Sequence, residues 1–577
     1  MRKIALKIIC YFMFSIVMAS FEEQLDSLME KSYPKWVKRH VEIPKITVYS
    51  ILEDVAKKYP DRIAIDFFSK KISYSELKKD VDMVASSLKS MGLARGDRVS
   101  LMLPNIPHYV IFFYAVLKLG GTVVQTNPLY TTHELESQLS DSGSRIVVTL
   151  DDFISKVTPL HPSLVQKMIV VRVEDFLPSA LAFLYSASKS AKRAKVKVPK
   201  ESWIYSFKDM LSSEDQVGEE PVNPETHPAL LQYTGGTTGV PKAALLTHYN
   251  LVANAYQIRE WIPEDYRSGI SYLSAIPFFH VYGMMTAMLV PVLQGAKIIL
   301  VPDPRDTKMI LKSMHKSHPQ AFPGIPAMYH SILNHRDVGK YDIKSVKFCM
   351  SGASPLPEEL QKNFENATNG MIIEGYGLSE TSPVANINPM DVSLRKIGSI
   401  GLPVSNTYEK IMDLETGTKE LGPGEIGELV IKGPQVMSGY WNNVKETDIA
   451  LRKGWLYTGD IAKMDENGFF YIVDRKKDMI IAGGYNIYPQ EVEEILYKHP
   501  KVSEAAVIGV NDPHRGETVK AYIVLKPNET ATSEEITEFC KQYLAKYKVP
   551  KIVEFTGELP KSLVGKVLKR ELRNKSA

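Results

Sequence analysis

The chain has 577 residues, 44% of them hydrophobic and 24% charged, with a formal net charge of +4. That length exceeds one ordinary core and implies several subdomains, while the composition is that of a globular protein. So small a charge argues against nucleic acid as the main partner. The three cysteines, Cys10, Cys349 and Cys540, lie far apart, which excludes a disulfide framework, gives no metal spacing and suits a reducing compartment.

Arg2, Lys3 and Lys7 precede an apolar run from Ile8 to Phe21, closed by Glu22 and Glu23. A spanning helix needs about 20 apolar residues, so the run is short. It reads as a signal-like core, a membrane-surface anchor, or an early start ahead of a true beginning at Met29. Further on, Asp97 to Leu103 reads as a strand, Ile106 to Leu119 as a buried helix stopped at Gly120-Gly121, and Thr122 to Gln125 as the next strand. That βαβ unit predicts parallel sheets. An apolar stretch from Phe176 to Tyr185 leads into the basic residues Lys189, Lys192, Arg193, Lys195, Lys197 and Lys200, which suits either an anionic membrane surface or a solvated loop. Ala275-Ile276-Pro277 and Ala296 to Val301 read as further buried strands. No internal repeat of fixed period is present.

Between these elements stands Tyr233-Thr234-Gly235-Gly236-Thr237-Thr238-Gly239-Val240-Pro241-Lys242. Glycines let consecutive backbone N–H groups converge into an anion-binding nest; threonine hydroxyls and a lysine add donors and charge. A polyphosphate is the natural ligand. The spacing is not that of a Walker loop, because Val240 and Pro241 separate the last glycine from the lysine. Then come Pro277-Phe278-Phe279-His280-Val281-Tyr282-Gly283, Ser351-Gly352-Ala353-Ser354-Pro355, Gly375-Tyr376-Gly377-Leu378-Ser379-Glu380-Thr381, Gly454-Trp455-Leu456-Tyr457-Thr458-Gly459-Asp460, and Asp474-Arg475-Lys476-Lys477-Asp478. Gly483-Gly484 and Lys561-Ser562-Leu563-Val564-Gly565-Lys566 close the series.

This ordered series resembles the AMP-forming adenylate synthetases: acyl-CoA synthetases, firefly luciferase and the adenylation domains of peptide synthetases. The resemblance runs from about residue 34 to 570. It implies an α/β fold: a large multi-subdomain N-terminal domain of mixed and parallel sheets packed by helices (33–475, after an apolar segment 1–32) and a small mobile α+β lid (476–577). It implies ATP, Mg²⁺ and coenzyme A. By the same resemblance Thr234, Gly235, Gly236, Thr237, Thr238, Gly239 and Lys242 bind the phosphates. Gly352, Ala353, Ser354, Gly375, Tyr376, Gly377 and Ser379 border the adenine and phosphates, and Asp460 and Arg475 take the ribose. Glu380 and Thr234 hold the metal, as magnesium suits one or two carboxylates with phosphate oxygens. His280, Gly283, Gly483 and Gly484 border the acyl and CoA channels, Lys477 is the hinge, and Lys566 is the adenylation lysine. A cation bridging carboxylate and α-phosphate relieves their repulsion, which is the chemistry that step requires. Ser379 stands where the family has threonine, and Ala243 where it has glycine.

The version of the motif around His280 and the 176–200 insertion look most like medium- to long-chain fatty-acid–CoA ligases. The expected reaction is a fatty acid plus ATP to acyl-AMP and pyrophosphate, then acyl transfer to coenzyme A. An aryl- or other carboxylate–CoA ligase, an acyl-AMP ligase, and a membrane-tethered fatty-acid uptake or binding protein are the alternatives. Met284, Met285 and Met288 suit either the lining of an acyl tunnel, since methionine adapts to flexible chains, or simple helix core, and helix core is preferred. An ATP- and CoA-dependent enzyme belongs in the cytoplasm, so an early start or a weak tether at the inner membrane face is preferred to secretion. Peripheral membrane contact through 1–21 or 176–200 and a homodimer both stay open.

Overall fold

The computed structural model describes residues 25–179, 181–182, 198, 200–212, 217–234, 241–482, 485–512, 515–562 and 565–576. The apolar run 1–21, nearly all of the basic insertion, the phosphate-loop residues 235–240 and Gly483-Gly484 lie outside them. By internal packing the chain forms two units: residues up to Tyr408 with Lys432–Leu456, and Glu409–Ile431 with Tyr457 onward.

The first unit is built on two large sheets. In one, the strands Pro228–Thr234, Thr122–Gln125, Arg98–Met102, Ile146–Leu150, Lys167–Val171 and Ile204–Ser206 run parallel in that order. The antiparallel strands Lys242–Thr247 and Gly439–Tyr440 complete its edge. In the other, Met371–Gly377, Phe348–Ser351, Ala321–Gly324, Ser271–Ser274, Lys297–Leu300 and Ile63–Phe67 are parallel neighbours. The expected βαβ unit is present: Arg98–Met102, then a fully buried helix Pro107–Lys118, then Thr122–Gln125. Proline starts that helix where a missing N–H costs nothing, and Gly120 at φ +64° ends it. Helices apolar on every face belong between sheets, and this one is buried from Pro107 to Lys118.

Ala275-Ile276-Pro277 is not a strand. Beyond Ser274 the ladder ends: the buried Asn105 amide donates to the Ser274 carbonyl (3.0 Å), which it shares with the Val301 N–H, and to the Ile276 carbonyl (2.7 Å), and Pro277 has no N–H for a ladder. Asn105 Oδ1 then accepts the Phe278 N–H (2.8 Å), so one side chain turns the chain toward His280. Met284, Met285 and Met288 are fully buried helix core. At the start of the described chain, Leu25 and Met29 are buried and Asp26 pairs with Arg39 at 2.7 Å, so Leu25 and Asp26, ahead of Met29, are part of the packed fold. Phe176 and Leu177, the first residues of the apolar insertion, are also core, with the Phe176 ring edge-on to His108. Among the described residues no helix is long and apolar enough to cross a membrane.

The second unit carries a five-stranded sheet in which Val502–Asp512 and Gly516–Leu525 form a long antiparallel pair, flanked by Ile480–Ala482 and by Ile552–Phe555. Helices Pro489–Tyr497 and Ser533–Lys541 cover one face around Ile480, Val492, Ile508's neighbour Val507, Ile523 and Ile536. Thr532 caps the second helix through the Glu535 N–H (3.1 Å), while the Glu535 carboxylate pairs with Lys501 (2.7 Å). A separate hairpin joins Trp455–Met464 to Phe470–Arg475.

Candidate functional site

In the first unit, a cleft is lined by His280, Tyr282, Ser351, Gly352, Ala353, Gly375, Tyr376, Gly377 and Ser379, with Val281, Ile373, Val384 and Ile387 as its apolar walls. It opens at the carboxyl ends of the parallel strands Phe348–Ser351 and Met371–Gly377, where open α/β sheets place their ligands. Segments seventy to a hundred residues apart in sequence therefore meet at one place. Gly377 is obligatory: a Cβ there would lie 1.8 Å from the Pro383 carbonyl oxygen. At Gly352 a Cβ would approach the Tyr282 ring at 3.1 Å, so this glycine keeps the cleft open above that ring. Ala353 follows with φ +68°, turning the chain around the cleft. The Tyr282 hydroxyl lies 2.7 Å from the Met350 carbonyl and 3.1 Å from that of Gly324, which fixes the ring as a wall.

His280 caps the helix Val281–Met284, its Nδ1 accepting the Tyr282 N–H at 3.3 Å. Gly283 does not line the cleft; a Cβ there would sit 2.3 Å from the Pro277 carbonyl, so glycine is needed for close packing of the helix on the preceding turn. Ser354 also stays outside the lining.

A second group of residues flanks the phosphate-loop segment. Thr234 and Lys242 face each other across the antiparallel pair, and the Thr234 hydroxyl donates to the Lys242 carbonyl at 3.3 Å. Residues 235–240 connect these strands. The Lys242 ammonium is ion-paired with Glu446 and stands 5.5 Å from the centre of the Tyr440 ring. The Tyr440 hydroxyl in turn donates to Glu380 Oε1 at 2.8 Å. Burial, reinforced by the Glu380 carboxylate, pushes the Tyr440 phenol up, so it remains a donor. Glu380 itself has a neutral phenol as its partner, and among the described residues no Lys or Arg pairs with it. A carboxylate left without a cation, beside a lysine, fits a magnesium–polyphosphate donor set. No group of three or more potential ligands occurs among the described residues, so phosphate oxygens and water would supply the remainder. The Ala243 methyl is buried against Val124, Leu231 and Tyr233, in a regular strand that accommodates it.

In the second unit, the hairpin register sets Asp460 opposite Arg475, and their side chains pair at 3.0 Å. Asp460 is almost fully buried, at 3% exposure. Lys566 lies within electrostatic reach of Asp460, Arg475, Lys477 and Asp478, so residues about a hundred positions apart form one charged cluster. It projects from a tight turn: Lys561 bridges Val567, the Ser562 N–H donates to the Lys566 carbonyl (2.8 Å), and Gly565 takes φ +71°. Desolvation by the surrounding protein first, and then the Arg475 charge, pushes the Lys566 ammonium down to about 8, with Asp460 opposing; the residue is itself exposed, so solvent screens part of that shift. Burial and the same arginine lower Lys477. The strands Ile480–Ala482 and Tyr485–Ile487 on either side of Gly483-Gly484 pair antiparallel, with Ala482 opposite Tyr485.

Sequence reasoning passed over three residues. Tyr440 and Glu446 lie outside the motifs singled out along the chain; the pairing of Tyr440 with Ala244 puts them beside Lys242. Glu374, next to Gly375, looked like an ordinary strand residue, yet burial pushes its carboxyl up to about 8.

Glycine-rich strand ends around one cleft, with a separate charged domain, define an α/β nucleotide-binding enzyme. The AMP-binding enzyme family matches residues 52–441, the AMP-binding enzyme C-terminal domain matches residues 491–566, and the chain belongs to this family. It is 45% identical to a long-chain-fatty-acid–CoA ligase of Bacillus subtilis over 94% of this chain and 96% of that one. It is 37% identical to a long-chain-fatty-acid–CoA ligase of Escherichia coli O157:H7, over 92% and 94% of the two chains. Among solved structures, ATP-bound MatB from Rhodopseudomonas palustris superposes with a TM-score of 0.80 at 28% identity, covering 92% of this chain and 99% of that one.

Proposed function

We propose that this protein is an AMP-forming fatty-acid–CoA ligase acting on medium- to long-chain acids. It activates the acid with ATP, releases pyrophosphate, and transfers the acyl group from AMP to coenzyme A. The observation that carries this reading is the convergence of the motif residues His280, Gly352, Tyr376, Gly377 and Ser379 on one cleft with apolar walls. Agreement in name and length with two fatty-acid–CoA ligases supports it.

In this reading Tyr376 offers a flat face to adenine, and the backbone around Gly352 and Gly375 leaves room for the base. Thr234 and Lys242, with the loop between them, bind the phosphates. Bound Mg²⁺ would be held by Glu380 and would neutralise charge on the phosphate oxygens. Asp460 has two acceptor oxygens suited to the ribose diol, with Arg475 orienting it. Lys566 supplies the cation for attack of the acid on the α-phosphate, and its turn delivers it as a unit. Gly483-Gly484 serves thioester formation, and Lys477 is the pivot between the two half-reactions. The domain division at 475/476 belongs to this reading. Peripheral membrane contact and a homodimer are compatible with it and are not needed by it.

The test is ATP consumption with a panel of acids from acetate to oleate plus aryl acids, with and without coenzyme A, products read by mass spectrometry. The expected outcome is CoA-dependent acyl-CoA and AMP, highest at longer chains. A peak at aryl acids would overturn the substrate class. Acyl-adenylate without thioester would indicate a carrier-directed ligase, and absence of turnover with every acid would point to a binding or uptake protein.

A further inference from the structure

The partner of Lys242 in this fold is a carboxylate, and its surroundings explain how that comes about. Strand Lys242–Thr247 is flanked by Gly439–Tyr440, with Tyr440 opposite Ala244. Residues 242 and 244 point to one face of a strand, and a residue directly opposite shares that face. The Tyr440 ring is therefore laid under the Lys242 side chain, 5.5 Å from its ammonium. The chain leaves Tyr440 through a tight return. The Tyr440 N–H donates to Thr447 Oγ1 (2.9 Å), and Thr447 donates to the Asn443 carbonyl (2.8 Å). Gly439 is required, because a Cβ would meet the Thr447 methyl at 2.9 Å. The return carries Glu446 to Lys242, and the Glu446 N–H is held by Asn443 Oδ1 at 3.2 Å. Both charged side chains are largely covered, at 16% and 25% exposure, so the pair is less screened than a surface one.

We propose that Glu446 is the resting counter-ion of Lys242, standing where a phosphate group of ATP takes over, and that it opposes nucleotide binding by its own negative charge. The idea rests on the reading of Lys242 as a phosphate-binding lysine. An ammonium is a point charge on a flexible stem and exchanges one anion for another without a geometric requirement. A triphosphate brings several anionic oxygens into the space beside Glu446. Lys242 must then leave or share its carboxylate, and the carboxylate repels the incoming charge. Glu446 thus holds the lysine in place in the absence of nucleotide, at the expense of affinity when nucleotide arrives. Tyr440 serves as the positioning residue, with its ring against Lys242 and its hydroxyl on Glu380.

The experiment is calorimetric binding of ATP alone, without acid or coenzyme A, to the full-length protein and to Glu446→Gln, Glu446→Asp and Lys242→Ala, with adenosine as the phosphate-free probe. Glu446→Gln keeps the shape of the return and removes the charge. It is expected to tighten ATP by about fivefold, the size of a partly covered ion pair, and to leave adenosine unchanged. Glu446→Asp keeps the charge and is expected within about twofold of the parent. Should Glu446→Gln not fold, Glu446→Ala reads the same sign. Unchanged or weakened ATP binding in the neutral variant would overturn the proposal, as would equal tightening by Glu446→Asp. Lys242→Ala separates the two layers. If it leaves ATP binding unchanged, the phosphate-lysine reading fails. If it weakens ATP while Glu446→Gln does not tighten it, only the counter-ion idea fails.

Discussion

Lys242 and Lys566 are both lysines in motifs that resemble phosphate-handling ones, and the fold treats them in opposite ways. Lys242 is neutralised in place, with Glu446 as its ion-pair partner and the Tyr440 ring alongside. Lys566 has no carboxylate within ion-pair distance among the described residues; it sits close to Arg475 and Lys477, with its ammonium pushed down to about 8. A paired cation is held ready for a ligand that is always the same, the polyphosphate. An unpaired cation crowded by like charges stores electrostatic strain that an incoming anion relieves. The difference suggests that binding is handled by the first lysine and rate by the second.

The largest test of that contrast is Lys566→Ala. Acid-dependent pyrophosphate exchange is expected to fall by at least about a hundredfold, with thioester formation from supplied acyl-adenylate kept within about tenfold. Equal loss in both half-reactions would remove the distinction. Next in size is Gly377→Ala. Its Cβ would overlap the Pro383 carbonyl, so the strand end must shift; a loss of about 2–3 kcal/mol in unfolding free energy, with ATP binding lost alongside, is expected from denaturant titration. Retained stability and binding would show that the turn is softer than its contacts indicate.

The third test uses pH. Lys566 is a cation below about pH 8 in the folded protein, against about 10.4 for a lysine without charged neighbours. Adenylation by the free enzyme should therefore decline as pH rises through 8, and coupling to a bound nucleotide should move that limit upward. Between pH 8 and 10 the unfolded chain holds the proton that the folded one has released, so this group makes unfolding free energy rise with pH in that window. Lys566→Ala should flatten the rise; an unaltered pH profile would break the assignment. The smallest expected effect is that of Tyr440→Phe, which keeps the ring beside Lys242 and deletes the bond to Glu380. A change of a few-fold in the magnesium concentration that supports half-maximal rate, with adenosine binding unchanged, is expected. No change would detach Glu380 from its phenol functionally.

Much of this was legible along the chain. The strand–helix–strand from Arg98 to Gln125 follows from local patterning, since hydrophobic period and glycine positions act over a few residues. Ala275-Ile276-Pro277 reads as a strand because its residues are apolar; in the fold the ladder ends before it, and a distant amide, Asn105, donates to the carbonyls of Ser274 and Ile276. Gly283 carries a motif position whose local requirement is packing against the Pro277 carbonyl.

The sequence by itself determined the order of the motifs, the glycines without which Gly377 and its turn cannot form, and the chemical types of the side chains. Those are properties of single residues and short windows, where backbone sterics and charge are intrinsic. Only the tertiary structure decided which side chains meet. Strand register laid Tyr440 under Lys242, a tight return brought Glu446 to it, and a hairpin plus a distant turn gathered Asp460, Arg475 and Lys566. Pairing and desolvation depend on neighbours far away in the chain, so the ion pair of one lysine and the lowered affinity for its proton of the other appear only once the chain is folded.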